Sequence, residues 1–190
     1  MTNPAPVPLL FGFRGVRFLQ VILVLAAGAL AIGGVFILKA YIDEGGVYLM
    51  VLAVLFAVMF IWLFSLALRM PTSFVAVSPE RMRIRFGGFV DTIIETKDVS
   101  GAQLVRWGAW KGLGVRTGFG GDVALVAAGG VAAELTLRRP IRVWLIPRLW
   151  RISATRVVVS VRNPQKLVER FGAVQQNAPK ASPVSKRKRR

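Results

Sequence analysis

The chain has 190 residues, a formal net charge of +17, 54% hydrophobic residues, no cysteine and no histidine. That length holds one ordinary domain plus a membrane anchor and excludes a large multidomain enzyme. With neither cysteine nor histidine, disulfides, thiolate or imidazole metal sites and most hydrolase triads are excluded, while the charge favours anionic partners, either lipid headgroups or nucleic acid.

Residues 1–17 form a short N-terminal segment. Residues 18–38, FLQVILVLAAGALAIGGVFIL, then contain no charge and one amide, Gln20. As a helix they extend ~32 Å, enough to cross the hydrocarbon core of a bilayer. Residues 47–68, VYLMVLAVLFAVMFIWLFSLAL, form a second uncharged run. The intervening KAYIDEGG is too short for a domain, so the two spans form an antiparallel hairpin. Ala29 and Gly33 in the first span and Ala53 and Ala57 in the second have the small-xxx-small spacing that lets helices approach closely, a spacing that chance also produces in Ala- and Gly-rich sequence. Arg14 and Arg17 precede the hairpin and Arg69 follows it, whereas the loop holds Lys39 beside Asp43 and Glu44. By the positive-inside rule both termini are cytoplasmic. The competing reading is a signal peptide cleaved near Ala29-Leu30-Ala31, although the apolar run continues through Leu38, beyond what such a peptide needs.

Downstream of Met70-Pro71 the pattern changes from continuous to alternating. Arg81, Arg83 and Arg85 point one way and Met82, Ile84 and Phe86 the other, which is the period of a half-buried strand. Gly87-Gly88 supplies a turn and FVDTIIET the returning strand. Further short strands are expected at 101–107, 122–127, 133–138 and 156–161. Six or seven strands in about a hundred residues point to a small barrel or sandwich. A helix closes the domain: Asn163 caps it, Pro164 suits its first position, Leu167, Val168 and Phe171 share a face, and Gly172 stops it.

Taken together, two hydrophobic spans, the run SFVAVSPERMRIRFGGFVDTIIETKDVSGAQLV, then GLGVR, AELTLR and RVVVSVRNPQKLVERF resemble the bacterial pleckstrin-homology (PH)-like domains of small membrane proteins. The resemblance covers residues 73–172. It implies a seven-strand barrel capped by a C-terminal helix, and no catalytic residues or cofactor. The fold expected is therefore a membrane α-helical hairpin carrying a mainly-β, PH-like domain. Arginine outnumbers lysine and Ala, Gly and Val are abundant, which fits a GC-rich bacterium and hence its inner membrane.

Motifs that carry chemistry are few. The spacing of GLGVRTGFGG (112–121) is not that of a phosphate loop, and no long helix follows it, so it reads as a hairpin connection. Alternation puts Asp91 and Glu95 on one strand face but not Asp98, and basic neighbours neutralise them, which leaves no acid/base or metal site. The tail, residues 173–190, is polar and ends in Lys186, Arg187, Lys188, Arg189 and Arg190; it is expected to be disordered and drawn to anionic lipid, each basic residue contributing about 1 kcal/mol near the surface. Nothing in it reads nucleic acid, for aromatic stacking positions are missing.

The remaining segment, IRVWLIPRLWRI (141–152), sets Arg142, Arg148 and Arg151 among Trp144, Ile146, Leu149 and Trp150 with no acidic residue. As a strand it turns Ile141, Val143 and Leu145 inward and Arg142, Trp144 and Ile146 outward, and Pro147 ends the ladder. Arginine and tryptophan together suit a membrane interface, the guanidinium meeting phosphate while the indole sits at headgroup depth. The alternative is that the tryptophans pack on the domain's open end. The function expected is a non-catalytic membrane-anchored module that contacts anionic lipid, a membrane-protein partner or a second copy of itself; the rival is a structural or accessory subunit of a larger membrane complex.

Overall fold

The structure, a computed structural model, describes residues 8–118, 121–146 and 150–176; for residues 109, 144–146, 150–151 and 173–176 it describes the backbone alone. Two helices, α1 (Val16–Glu44) and α2 (Val47–Arg69), pack side by side as a hairpin. At ~1.5 Å per residue they run to about 43 and 34 Å, longer than a bilayer's hydrocarbon core of about 30 Å. Only 6% of the most apolar window of each is buried. A core helix of a water-soluble protein would hide such a surface; here Leu25, Phe36, Leu55 and Ile61 lie open.

The connection is tighter than the expected eight-residue loop. Helical backbone bonding continues through 39–44 whatever the side chains, and the chain reverses at Gly45 and Gly46, with φ of 74° and 105°. Those angles favour glycine. The close approach of the helices also differs from the small-against-small expectation. Ala29 is exposed, while Gly33 lies under Phe56, whose ring carbon would stand 2.8 Å from a Cβ at that position.

The β domain contains two sheets among the described residues. The first joins β1 (Leu9–Gly12), β2 (Phe74–Val77), β3 (Arg81–Phe86) and β4 (Val90–Glu95) in that order, all antiparallel. The second is built from β5 (Val99–Trp107), β6 (Gly114–Gly118), β7 (Asp122–Val126), β8 (Gly130–Ile146) and β9 (Trp150–Val159) in the order β5-β8-β9-β7-β6, with β7 and β9 parallel. Nine strands in two sheets thus replace the expected closed barrel of about seven. The added strands are ones that alternation does not disclose. β1 is four residues long, lies before the first helix, and has a register only because β2 returns beside it. β6 is the glycine-rich stretch read as a connection; it is an edge strand held by β7 alone.

The sheets share one apolar cluster. Met82, Ile84, Phe86 and Ile94 from the first meet Val123, Leu125, Leu135, Val157 and Val159 from the second. Phe13, at the start of the hairpin, joins this core edge-on to Phe86, with ring centroids 4.9 Å apart. The closing helix α3 (Pro164–Gln176) packs on β5 and β8 through fully buried Leu167 and Phe171. It continues past Gly172, the expected stop. A glycine inside a helix costs only about 1 kcal/mol, and the docked apolar face outweighs that.

Candidate functional site

Strand direction gives the β domain two distinct ends. At one end the chain passes from Gly12 into α1 and returns from α2 into Phe74, and Gly12 and Phe74 are paired. The β3–β4 turn lies at this same end, since the Gly87 N–H donates to Ser73 Oγ at 2.8 Å and Gly88 abuts Leu66 and Arg69. So does the β7–β8 turn. The Arg14 N–H donates to the Ser160 carbonyl at 2.8 Å, the Arg14 guanidinium donates to the Gly129 carbonyl, and Gly15 lies against Ala127 and Ala128. Because Trp107 pairs with Gly130 and Gly114 with Val126, the β5–β6 connection, residues 108–113, also belongs to this helix-bearing rim.

That connection carries Trp110, which at 102% relative exposure touches essentially nothing. A 3-10 turn, Ala109–Lys111, presents it, and the turn is fixed from behind: the Trp107 indole N–H donates to the Gly112 carbonyl at 3.1 Å and Lys111 Nζ sits 5.3 Å from the Trp107 ring centroid. The Arg116 side chain folds over Gly112 beside them. With Arg17, Arg69 and Arg162, the rim is basic with one projecting indole. Of the carboxylates, Asp91 is the second residue of β4, beside the β3–β4 turn at this end, and is paired with Arg83. Glu80, Glu95 and Asp98 sit at the opposite end by strand direction, as does Asp122, which accepts two hydrogen bonds from Arg156 at 2.6 and 2.9 Å.

The Asp91 and Glu95 pair occupies the exposed face of β4, as alternation implies, and both groups are engaged. Asp91 accepts two hydrogen bonds from Arg83, at 2.9 and 2.7 Å, and Glu95 meets Lys97 at 2.6 Å. The Arg83 bonds hold the Asp91 carboxyl below its ordinary range against a smaller opposing effect of burial, and the Lys97 bond does the same for Glu95. Among the described residues no group of three or more potential metal ligands is found.

Of the segment 141–152, residues 141–146 and 150–152 form the far part of the β8–β9 pair. β8 runs from Gly130 at the rim to Leu137, where it meets the start of β5 at Val99, and then continues beyond. Seven residues of strand at ~3.3 Å place Leu137 about 23 Å from Gly130. Beyond Leu137 the described part of the segment still belongs to the core, with Val143 and Ala154 buried in the shared cluster and Ile141 and Ile152 packed against it. Its register sets Ile141 against Ala154, Arg142 against Ser153, Val143 against Ile152, Trp144 against Arg151 and Ile146 against Trp150. Val143 is buried, Arg142 exposed and Ile141 half-buried, so the inward-outward alternation holds that far. The side chains of Trp144, Ile146, Trp150 and Arg151 lie outside the described residues, as do Pro147, Arg148, Leu149 and the basic tail Lys186–Arg190 altogether. Exposed Trp110 is a candidate that sequence reading did not single out. Only the pairing of β5 with β8 and β6 with β7 reveals which end its loop occupies.

Comparison of the chain with protein-family models, with curated proteins and with solved structures finds no match.

Proposed function

We propose that the protein is a non-catalytic binding module anchored in the inner membrane of a bacterium. In this reading α1 and α2 cross the bilayer, Gly45 and Gly46 face outward, and the β domain stands on the cytoplasmic surface with its helix-bearing rim against anionic headgroups. The 141–152 segment, which the rim contact does not use, is then left for a protein partner. The observation that carries the proposal is the collection of Trp110, Lys111, Arg69 and Arg116 at the end where the apolar helices emerge. An indole and cations at that level suit the headgroup layer, where the ring is half solvated and the cations meet phosphate.

Orientation follows from Arg14, Arg17 and Arg69 flanking the hairpin while Asp43 and Glu44 stand at its turn. Pairing of β1 with β2 supports an uncleaved chain, because removal of a signal peptide at Ala29-Leu30-Ala31 would strip a strand and Phe13 from the β domain. We retain the PH-like assignment as a proposal for strand order, closing β9, Asn163-Pro164 and α3, without the closed barrel.

The test is quenching of tryptophan fluorescence by brominated phospholipids in anionic vesicles that hold the full chain, with Trp110→Phe as the subtraction. The Trp110 contribution should be quenched by bromines near the headgroup and shielded from aqueous iodide; free access of iodide without bromine quenching would refute the reading. The rival, an accessory subunit of a larger membrane complex, draws on the apolar groove of about 380 Å³ between the helices, lined by residues including Leu30, Gly34, Phe56 and Phe60. Stoichiometric co-purification with another membrane protein in mild detergent would favour it.

A further inference from the structure

A second cleft, of about 530 Å³, opens where both helices leave the β domain. Its walls come from separate parts of the chain: Gly12 and Phe13 at the end of β1, Arg17 and Gln20 on the first turns of α1, Pro71 and Ser73 after α2, and Arg162 after β9. Two guanidinium groups therefore reach one opening from different elements. Among the described residues, neither Arg17 nor Arg162 has a carboxylate partner. The position of Arg162 is set by its own backbone, whose N–H donates to the Gly12 carbonyl at 2.9 Å, and its side chain runs beside Gly12. The cleft on the β6–β9 face is different: it holds carboxylates as well as cations, Asp122 being bonded to Arg156 and Glu134 lining the same opening.

We propose that this cleft binds the phosphate-bearing headgroup of one anionic phospholipid, with Arg17 and Arg162 on the phosphate and the Gln20 amide as an additional donor. The inference rests on the reading that the hairpin lies in a bilayer. Three features support it. Arginine's planar fork suits phosphate geometry. Arg17 is the last charged residue before the apolar run, so the cleft stands at headgroup level, while Val16 and Phe13 offer an apolar wall to the glycerol and upper acyl chain. Its volume also falls in the range of sites that hold small ligands.

The experiment extracts the full chain in mild detergent from vesicles of mixed phosphatidylglycerol and phosphatidylcholine, and counts retained lipid by native mass spectrometry. Wild type should keep one phosphatidylglycerol in preference to phosphatidylcholine. The Arg17→Gln, Arg162→Gln pair should weaken that retention about tenfold or more, since each basic residue contributes about the strength of one surface phosphate contact. The Arg17→Lys, Arg162→Lys pair, which keeps charge and loses the fork, should fall between. Two exposed arginines at the other end, changed together as Arg81→Gln and Arg138→Gln, should leave retention unchanged. Equal retention by the Arg17/Arg162 Gln pair, or equal loss in the distal pair, overturns the site. Displacement of the lipid by inorganic phosphate alone assigns the cleft to free phosphate and overturns the lipid. Trp110 quenching in the same vesicles separates the two readings: quenching without retained lipid sinks the cleft alone, and retention without quenching sinks the rim contact alone.

Discussion

Gly15 shows how much a single residue can decide here. It holds φ of 76° between β1 and α1, and a Cβ would collide with Ala128 and stand 2.9 Å from the Ala127 carbonyl oxygen. Gly15→Ala should therefore lower stability by about 1–3 kcal/mol, read as a fall in the thermal or denaturant midpoint in detergent. On the exposed face of β3 and β4, the Arg83–Asp91 pair is a smaller matter, with side chains 48% and 43% exposed. Asp91→Asn should cost about 0.2–1 kcal/mol at neutral pH. Because the folded carboxyl titrates below the unfolded one, this contribution is present above pH ~4 and is lost as pH falls through the lowered folded value. Unfolding curves of the two proteins should accordingly converge in acid. The alternation of Met82, Ile84 and Phe86 with three arginines was legible because period-two burial leaves its mark in one strand. Trp110 carries no such mark: a tryptophan between Ala109 and Lys111 reads the same whether it is buried or fully exposed.

At the scale of elements, legibility followed length and local pattern. The two helices announce themselves by uncharged runs, and α3 by Leu167, Val168 and Phe171 at helical spacing. Phe171→Ala should cost about 3–5 kcal/mol and release α3 from β5 and β8, seen as a lower unfolding midpoint and faster amide exchange in α3. β1 and β6 were not legible, because each depends on a partner strand far away in sequence or on glycines that usually mark turns. The 141–146 part of the 141–152 segment was legible as a strand. Its local alternation gives inward Val143 and outward Arg142, whereas its distance from the helices is set by the whole length of β8.

For the whole molecule, the main consequence of β1 is that the hairpin is tied at both ends. The chain enters α1 from a strand that pairs with the strand it reaches after α2, so the β domain grips both helix ends on one side. In the proposed reading a tether of this kind limits tilting of the domain and would hold the basic rim near the surface, which a single linker after α2 would not do. The same geometry sets the cleft between Arg17 and Arg162 at the point where the helices emerge.

The absence of native cysteine makes this arrangement directly measurable. Exposed Glu44, at the hairpin turn, and exposed Arg138, on β8, would each be replaced by a single cysteine and treated in intact cells with a membrane-impermeant maleimide. Labelling is expected at 44 before lysis and at 138 only after it. Labelling of 138 in intact cells would contradict the cytoplasmic placement of the β domain, and failure of 44 to label until lysis would contradict a hairpin that crosses the membrane.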